Sequence, residues 1–245
     1  MSALMEAQEL AKSFGGLTAL RSVSFRLMSK EVVGLIGPNG SGKTTLFNLV
    51  SGVFPADRGK VLLEGEDITG LKAYQICRKG VGRTFQIVRP FLKMTCLENV
   101  LVGVVGRADH HRRSREAMLD EAMAELEFVG LAHMAARLAG SLTLIQKKQL
   151  EMARALVTRP RVLLLDEVLA GLNPSEVLQA LELIEEIRSR RNITVFWIEH
   201  VMGAIMRACD RVIVLDRGEK IAEGPPEQVV SDNRVIQAYL GESDA

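Results

Sequence analysis

A strand running into a glycine-rich loop and then a helix is the feature that most restricts this chain. Glu31 to Ile36 (EVVGLI) reads as a buried strand. Gly37-Pro38-Asn39-Gly40-Ser41-Gly42-Lys43-Thr44 follows and matches GxxxxGK[ST], and a helix is expected over Thr45 to Val50. The glycines let the loop wrap so that its N–H groups point inward at phosphate oxygens. The helix N-terminus adds positive potential there. Lys43 reaches β- and γ-phosphates, the Thr44 hydroxyl can ligate Mg²⁺, and Thr45 completes the residues assigned to the nucleotide.

A phosphate loop needs a second element to hold metal and water. Val162-Leu163-Leu164-Leu165-Asp166-Glu167 supplies it, as an apolar strand ending in two carboxylates. Asp166 is the expected partner of the Mg²⁺ shell. Glu167 is placed to polarise an attacking water as general base.

Residues about 5–13 and 20–27 read as strands around a turn at Gly15-Gly16, and Val61 to Glu64 and Val81 to Phe85 are strand-like. Between about residues 93 and 157 the pattern turns helical. Thr95 caps one expected helix, Ser114 begins a second, and a third runs from about Gln146 to Val157. Strands return at Val162 to Leu165, Thr194 to Ile198 and Val212 to Leu215, with helices between, and Pro226 to Leu240 reads as short helices. This alternation implies a largely parallel sheet.

Composition narrows the class. The 245 residues are 47% hydrophobic, enough for a full core. Lys and Arg (31) nearly balance Asp and Glu (30), which gives no electrostatic case for nucleic acid. Cys77, Cys96 and Cys209 form no CxxC pair and fit a reducing cytoplasm. The N-terminal segment has no basic stretch before a long apolar run, so no signal peptide is expected. No apolar stretch approaches the roughly 20 residues of a membrane helix. Trp197 reads as core, and His110-His111 beside Arg112-Arg113 as a solvated loop.

The remaining motifs add an order. Gln86, in GVGRTFQIVRPF, lies between the phosphate loop and the helical stretch; Ala170-Gly171-Leu172-Asn173 and then Glu199-His200 follow the two carboxylates. This order resembles the ABC ATPases over nearly the whole chain. Within that family, RTFQIVRPFLKMTCLENVLVG, AGLNP, IEHVM and AEGPPEQVVSDNRVIQAYLG are most similar to the ATP-binding subunits of branched-chain amino acid importers.

The resemblance implies an α/β fold: a P-loop ABC ATPase core with a parallel sheet, an N-terminal antiparallel β subdomain and an inserted helical subdomain. The single domain would span 1–245, with 1–92 and 158–245 as core and about 93–157 as the helical subdomain carrying the signature. It implies ATP and Mg²⁺ as cofactors. Phe14 would stack on adenine, Gln86 would touch the Mg²⁺ and water region, and His200 would hydrogen-bond the γ-phosphate. The partners implied are transmembrane permease subunits, a second ABC ATPase subunit and, indirectly, a solute-binding protein. The chain would sit peripherally on the cytoplasmic face of the membrane.

Four positions depart from the family pattern. The signature, usually close to LSGGQ, aligns with Leu142-Thr143-Leu144-Ile145-Gln146, which keeps the hydroxyl of Thr143 and Gln146 but loses both glycines. Asn173 stands where Asp is usual, and Val168 where Pro often follows the Asp-Glu pair. Family members form head-to-tail nucleotide sandwiches, so Thr143 and Gln146 would serve the partner's nucleotide. A heterodimer with unequal ATP sites is favoured over a homodimer. The alternatives are a regulatory subunit with weak hydrolysis, or an ABC ATPase for urea, amides, aromatic acids or lipid export. A soluble ABC protein of translation or DNA repair would need two cassettes or a long coiled coil, and the sequence has neither.

Overall fold

A computed structural model describes residues 3–240. The ends of the expected domain, residues 1–2 and 241–245, lie outside the described residues, as does Gly241 of the resembling tail segment. The chain opens with a hairpin of β1 (Met5–Phe14) and β2 (Leu17–Leu27). Strand β3 (Val32–Ile36) leads through the glycine-rich loop into α1 (Lys43–Val50), and β4 (Arg58–Leu63) and β5 (Glu66–Asp67) return to the hairpin. Then come α2 (Ala73–Arg78), β6 (Val81–Arg83) and three helices: α3 (Cys96–Val105), α4 (Arg115–Phe128) and α5 (Leu144–Leu156). The chain re-enters the sheet with β7 (Val162–Asp166), α6 (Pro174–Arg191), β8 (Thr194–Ile198), α7 (Met202–Ala208), β9 (Arg211–Asp216) and β10 (Glu219–Gly224). It closes with α8 (Pro226–Val230) and α9 (Asn233–Leu240).

Two sheets result. The antiparallel one has the order β2-β1-β4-β5. The other has the order β10-β9-β3-β8-β7-β6, with β10 antiparallel at one edge and the rest parallel. Side chains of a strand alternate between faces. Val33, Leu35, Leu164, Phe196, Ile198 and Ile213 face α1 and the antiparallel sheet. Val32, Ile36, Leu163, Leu165, Val195 and Trp197 face the helices, where Val100, Leu126, Leu150 and Ile184 meet them. Both faces are covered, which is why these strands read as unbroken apolar runs. Phe47 of α1 and Phe25 of β2 pack on Phe196, with ring centroids 5.1 and 5.0 Å apart. Trp197 is fully buried in the core, as its sequence setting suggests.

Parallel strands end on one edge, and that edge collects the motifs. There β3 runs into the glycine-rich loop, β7 into Asp166-Glu167, β8 into Glu199-His200 and β6 toward Gln86. The parallel sheet, the antiparallel N-terminal sheet and the helical stretch match the expected fold class. Five boundaries need correction, two of them strand starts: β2 begins at Leu17 rather than about residue 20, and β4 at Arg58 rather than Val61. The helix expected from Thr45 begins at Lys43. The strand expected to reach Phe85 ends at Arg83, because after Thr84 N donates to Leu164 O (2.9 Å) the chain leaves the sheet and exposes Phe85 and Gln86. The helix expected from Gln146 starts at Leu144, because Thr143 caps it. The sequence reading left out α2, β5 and β10. Among the described residues, no helix is long and apolar enough to cross a membrane.

Candidate active site

The glycine-rich loop closes against backbone on both sides. Gly37 has φ 147°, and a Cβ there would lie 2.0 Å from Leu215 O; Gly42 has φ 105°, and a Cβ there would lie 2.7 Å from Ala19 O. Only glycine fits either position. No side chain caps α1 at Gly42, so the helix presents its N-terminal dipole to the loop. Lys43 is buried, and its Nζ donates to Gly37 O (2.7 Å) and Pro38 O (2.8 Å). Pro38 and Ser41 are buried, Thr45 is half-buried, and Asn39, Gly40 and Thr44 are exposed. Phe14 closes β1 at the hairpin tip, 42% exposed, with Phe54 edge-on at 5.5 Å and Lys12 Nζ 5.5 Å above its ring. That hairpin borders the loop through Ala19.

Three residues far apart in sequence meet on one carboxylate. Gln86 Nε2 donates to Glu167 Oε2 at 2.7 Å, and His200 Nε2 lies 3.0 Å from Glu167 Oε1. Glu167 holds a left-handed backbone, φ 49°, and its N–H donates to Ile198 O at 2.9 Å. A left-handed conformation costs a non-glycine residue about 1–3 kcal/mol. Here it turns the chain out of β7 immediately after Asp166.

Asp166 shows a residue the sequence reading missed. Arg83 Nη2 donates to Asp166 Oδ2 at 3.0 Å, and the two side chains are 7% and 5% exposed. The same guanidinium donates from Nη1 to Asn48 Oδ1 (2.7 Å) and Ser51 Oγ (2.8 Å) at the C-terminal end of α1, and it lies over Phe85 at 5.0 Å. Burial pushes the Asp166 carboxyl up, and the Arg83 hydrogen bond pulls it back. Arg83 therefore ties the strand before Gln86, the helix after the phosphate loop and the Asp166 strand into one node. The available signal was a cation inside an apolar strand, where a buried charge needs a partner. Thr44, Gln86, Arg83 and Asp166 line a single cavity of about 580 Å³.

The signature-aligned segment stands apart. Thr143 Oγ1 accepts Gln146 N (3.4 Å), and Gln146 Oε1 accepts Thr143 N (3.0 Å), a reciprocal cap at the start of α5. Leu144 is 47% exposed and packs toward Gly171. Asn173 does the same for α6, accepting Glu176 N at 3.1 Å, with Pro174 at the first helical position. Asn caps as well as Asp, which accounts for that departure. His110 to Arg112 form a short 3₁₀ turn, with His110 Nδ1 2.7 Å from Arg107 O.

A glycine-rich phosphate cradle, a buried aspartate and an adjacent bracketed glutamate at the ends of parallel strands define a P-loop nucleotide hydrolase. The family description "ABC transporter" matches residues 20–170, and "Branched-chain amino acid ATP-binding cassette transporter" matches residues 219–245. The high-affinity branched-chain amino acid transport ATP-binding protein BraF of Pseudomonas aeruginosa is 44% identical, over 98% of each chain. LivG of Escherichia coli K12, described in the same words, is 42% identical, over 98% of each. The ADP conformation of MJ1267, an ATP-binding cassette of an ABC transporter, superposes with a TM-score of 0.89 at 34% identity, covering 98% of this chain and all of that one. The chain belongs to the ATP-binding proteins of ABC transporters, in the branched-chain amino acid transport family. It is an ATPase subunit whose ATP hydrolysis drives transport.

Proposed function

We propose that this chain powers an importer of branched-chain or related amino acids from the cytoplasmic face of the membrane. It would sit against transmembrane permease subunits and a second ABC ATPase, with a solute-binding protein delivering cargo to the permease. The cargo assignment is carried by the relatives' names and by the match over residues 219–245.

The hydrolytic reading rests on the grip of Gln86 and His200 on Glu167. With ATP in the loop, Lys43 exchanges the carbonyls of Gly37 and Pro38 for β- and γ-phosphate oxygens. The N–H groups of residues 39–45 cradle the phosphates, and Phe14 offers its exposed ring to adenine. Thr44 and Asp166 fit Mg²⁺: they are hard oxygen donors lining the same cavity as Gln86. Few protein ligands suit an ion that keeps its waters and phosphate oxygens. When bound, Mg²⁺ supplies charge neutralisation at the γ-phosphate. Glu167 takes the proton of the attacking water. Gln86 and His200 each hold one Glu167 oxygen in this conformation, and the remaining lone pairs of the carboxylate stay open to the attacking water. His200 then turns to the γ-phosphate, and Gln86 with the α3–α5 region (within the helical subdomain, about 93–157) passes the change to the permease.

A heterodimer is favoured because Thr143 and Gln146 satisfy each other within α5 and Leu144-Ile145 replace the glycines that a close phosphate approach needs. Glu167→Gln tests the reading. It should bind Mg-ATP like the parent and lose about 100-fold or more in turnover. Turnover within about tenfold of the parent would remove Glu167 from the role. Absent turnover in the parent alone, with ATP bound, would mean that the site waits for a signature supplied by another subunit or that the chain is mainly regulatory.

A further inference from the structure

The turn that carries Glu167 out of β7 has little support of its own. Glu167 is left-handed, the Val168 N–H has no hydrogen-bond partner among the described residues, and Ala170 N reaches back to Glu167 O only at 3.3 Å. A cavity of about 290 Å³, lined by Ile145, Val168, Leu172 and Met152, leaves the turn loosely packed on its α5 side.

Two side chains from outside hold it, from opposite directions. Lys148, on α5 just past Gln146, crosses that cavity edge and donates from Nζ to Val168 O (2.7 Å) and Glu167 O (3.4 Å). Glu199, 2% exposed at the end of β8, accepts Leu169 N (3.3 Å) through Oε2. Its Oε1 accepts His200 N (2.9 Å) and Val201 N (3.4 Å). A cation thus grips two carbonyls of the turn, and a carboxylate grips its next N–H along with the backbone of His200. Hydrogen bonds with a charged partner are about twice as strong as neutral ones.

We propose that Lys148 and Glu199 are positioning residues that fix the backbone of residues 167–169, and that Lys148 couples the signature end of α5 to the Glu167 of its own chain. The proposal rests on the reading of Glu167 as general base. In a nucleotide sandwich, the N-terminus of α5 faces the other subunit's ATP. A shift of α5 on that ATP is transmitted through the Lys148 strut to two peptide carbonyls beside the base. Occupancy of one site then sets the geometry of the other. Glu199 keeps the turn and the His200 backbone in step, so the two groups that touch the Glu167 surroundings move together.

Hydrogen exchange of the nucleotide-free full-length chain tests this without turnover. Lys148→Met should speed exchange of the Leu169 and Ala170 amides by about tenfold or more while the phosphate loop keeps its protection. It should lower kcat for Mg-ATP about tenfold, with nucleotide affinity within about twofold of the parent. Lys148→Arg should restore most of both. Val168→Pro, added to Lys148→Met, should recover protection and turnover, because proline fixes φ and forfeits no hydrogen bond here. A merely structural lysine would not be rescued that way. Unchanged exchange in Lys148→Met, or a loosened turn with undiminished turnover, overturns the proposal. Should Lys148→Met not fold, Glu199→Gln makes the same test from the other side, since its amide places an N–H against backbone N–H groups. An active Glu167→Gln would sink the general-base reading; an inactive Glu167→Gln beside an unaffected Lys148→Met would sink the strut alone.

Discussion

The strand-end cluster and the signature end of α5 are built in opposite ways. At the strand ends, the groups hold one another across the fold: Arg83 to Asp166, Gln86 and His200 to Glu167, Lys43 to its own loop. At the signature end, the side chains of Thr143 and Gln146 bond only each other's backbone N–H groups, and Leu144 is half exposed. The first region is complete within one chain. The second is a capped helix end whose chemistry depends on what meets it. Losing a partner in the first region should therefore be costly to folding, and losing one in the second nearly silent until another subunit is present.

The strongest break is Arg83→Met. It leaves the Asp166 carboxylate buried without its cation and removes the donor to Asn48 and Ser51. Breaking a buried pair from one side costs about 3–5 kcal/mol. Urea unfolding of the nucleotide-free protein should show that loss, and adding Asp166→Asn should recover part of it. A loss below about 1 kcal/mol would place Arg83 among ordinary surface cations.

A smaller effect sits where the two regions share α5. Glu151 lies on its buried side, and burial raises its carboxyl to about 7; the Phe85 N–H, Arg154 and Lys148 oppose the rise. A raised acid binds its proton more tightly in the folded state than in the unfolded one. Its stabilising contribution is thus full below the ordinary value of 4.5 and is lost as pH climbs through about 7. Glu151→Gln should remove that slope and raise stability at pH 8 by up to roughly 3 kcal/mol, less whatever the Phe85 N–H loses with the anionic acceptor. Unfolding midpoints from pH 5 to 8 that fall equally in parent and variant would show that Glu151 is not the titrating group.

The same contrast explains what could be read from the sequence. The phosphate loop, Asp166 and Glu167 declare themselves because backbone geometry dictates local residue types: glycines at positive φ, an apolar strand, then carboxylates. The caps at Thr95 and Ser114 were legible for the same local reason, each accepting an N–H three residues on. Arg83 was not legible, since its partners lie 83 residues away on β7 and 35 and 32 residues back at the end of α1. Lys148 and Glu199 were hidden likewise, because what they hold is backbone, which leaves no mark in residue type. Strand β10 pairs only at a sheet edge, and its polar Glu219 to Gly224 run lacks the apolar stretch that marked the buried strands.

The smallest effect sharpens the comparison most. Thr143→Ala removes one acceptor from the N-terminus of α5 and should cost about 1 kcal/mol in unfolding free energy, the usual worth of such a cap. Thr143→Ser should restore it, because the hydroxyl and not the methyl accepts the Gln146 N–H. Within the single chain, nucleotide affinity should be unchanged, since the strand-end cluster shares no hydrogen bond with Thr143. In the assembled transporter, the same substitution should alter turnover at the partner's ATP, where this helix end is expected to face phosphate. A change in the affinity of the isolated, monomeric chain for ATP would mean that the signature end and the strand-end cluster are not separate in the way their contacts indicate.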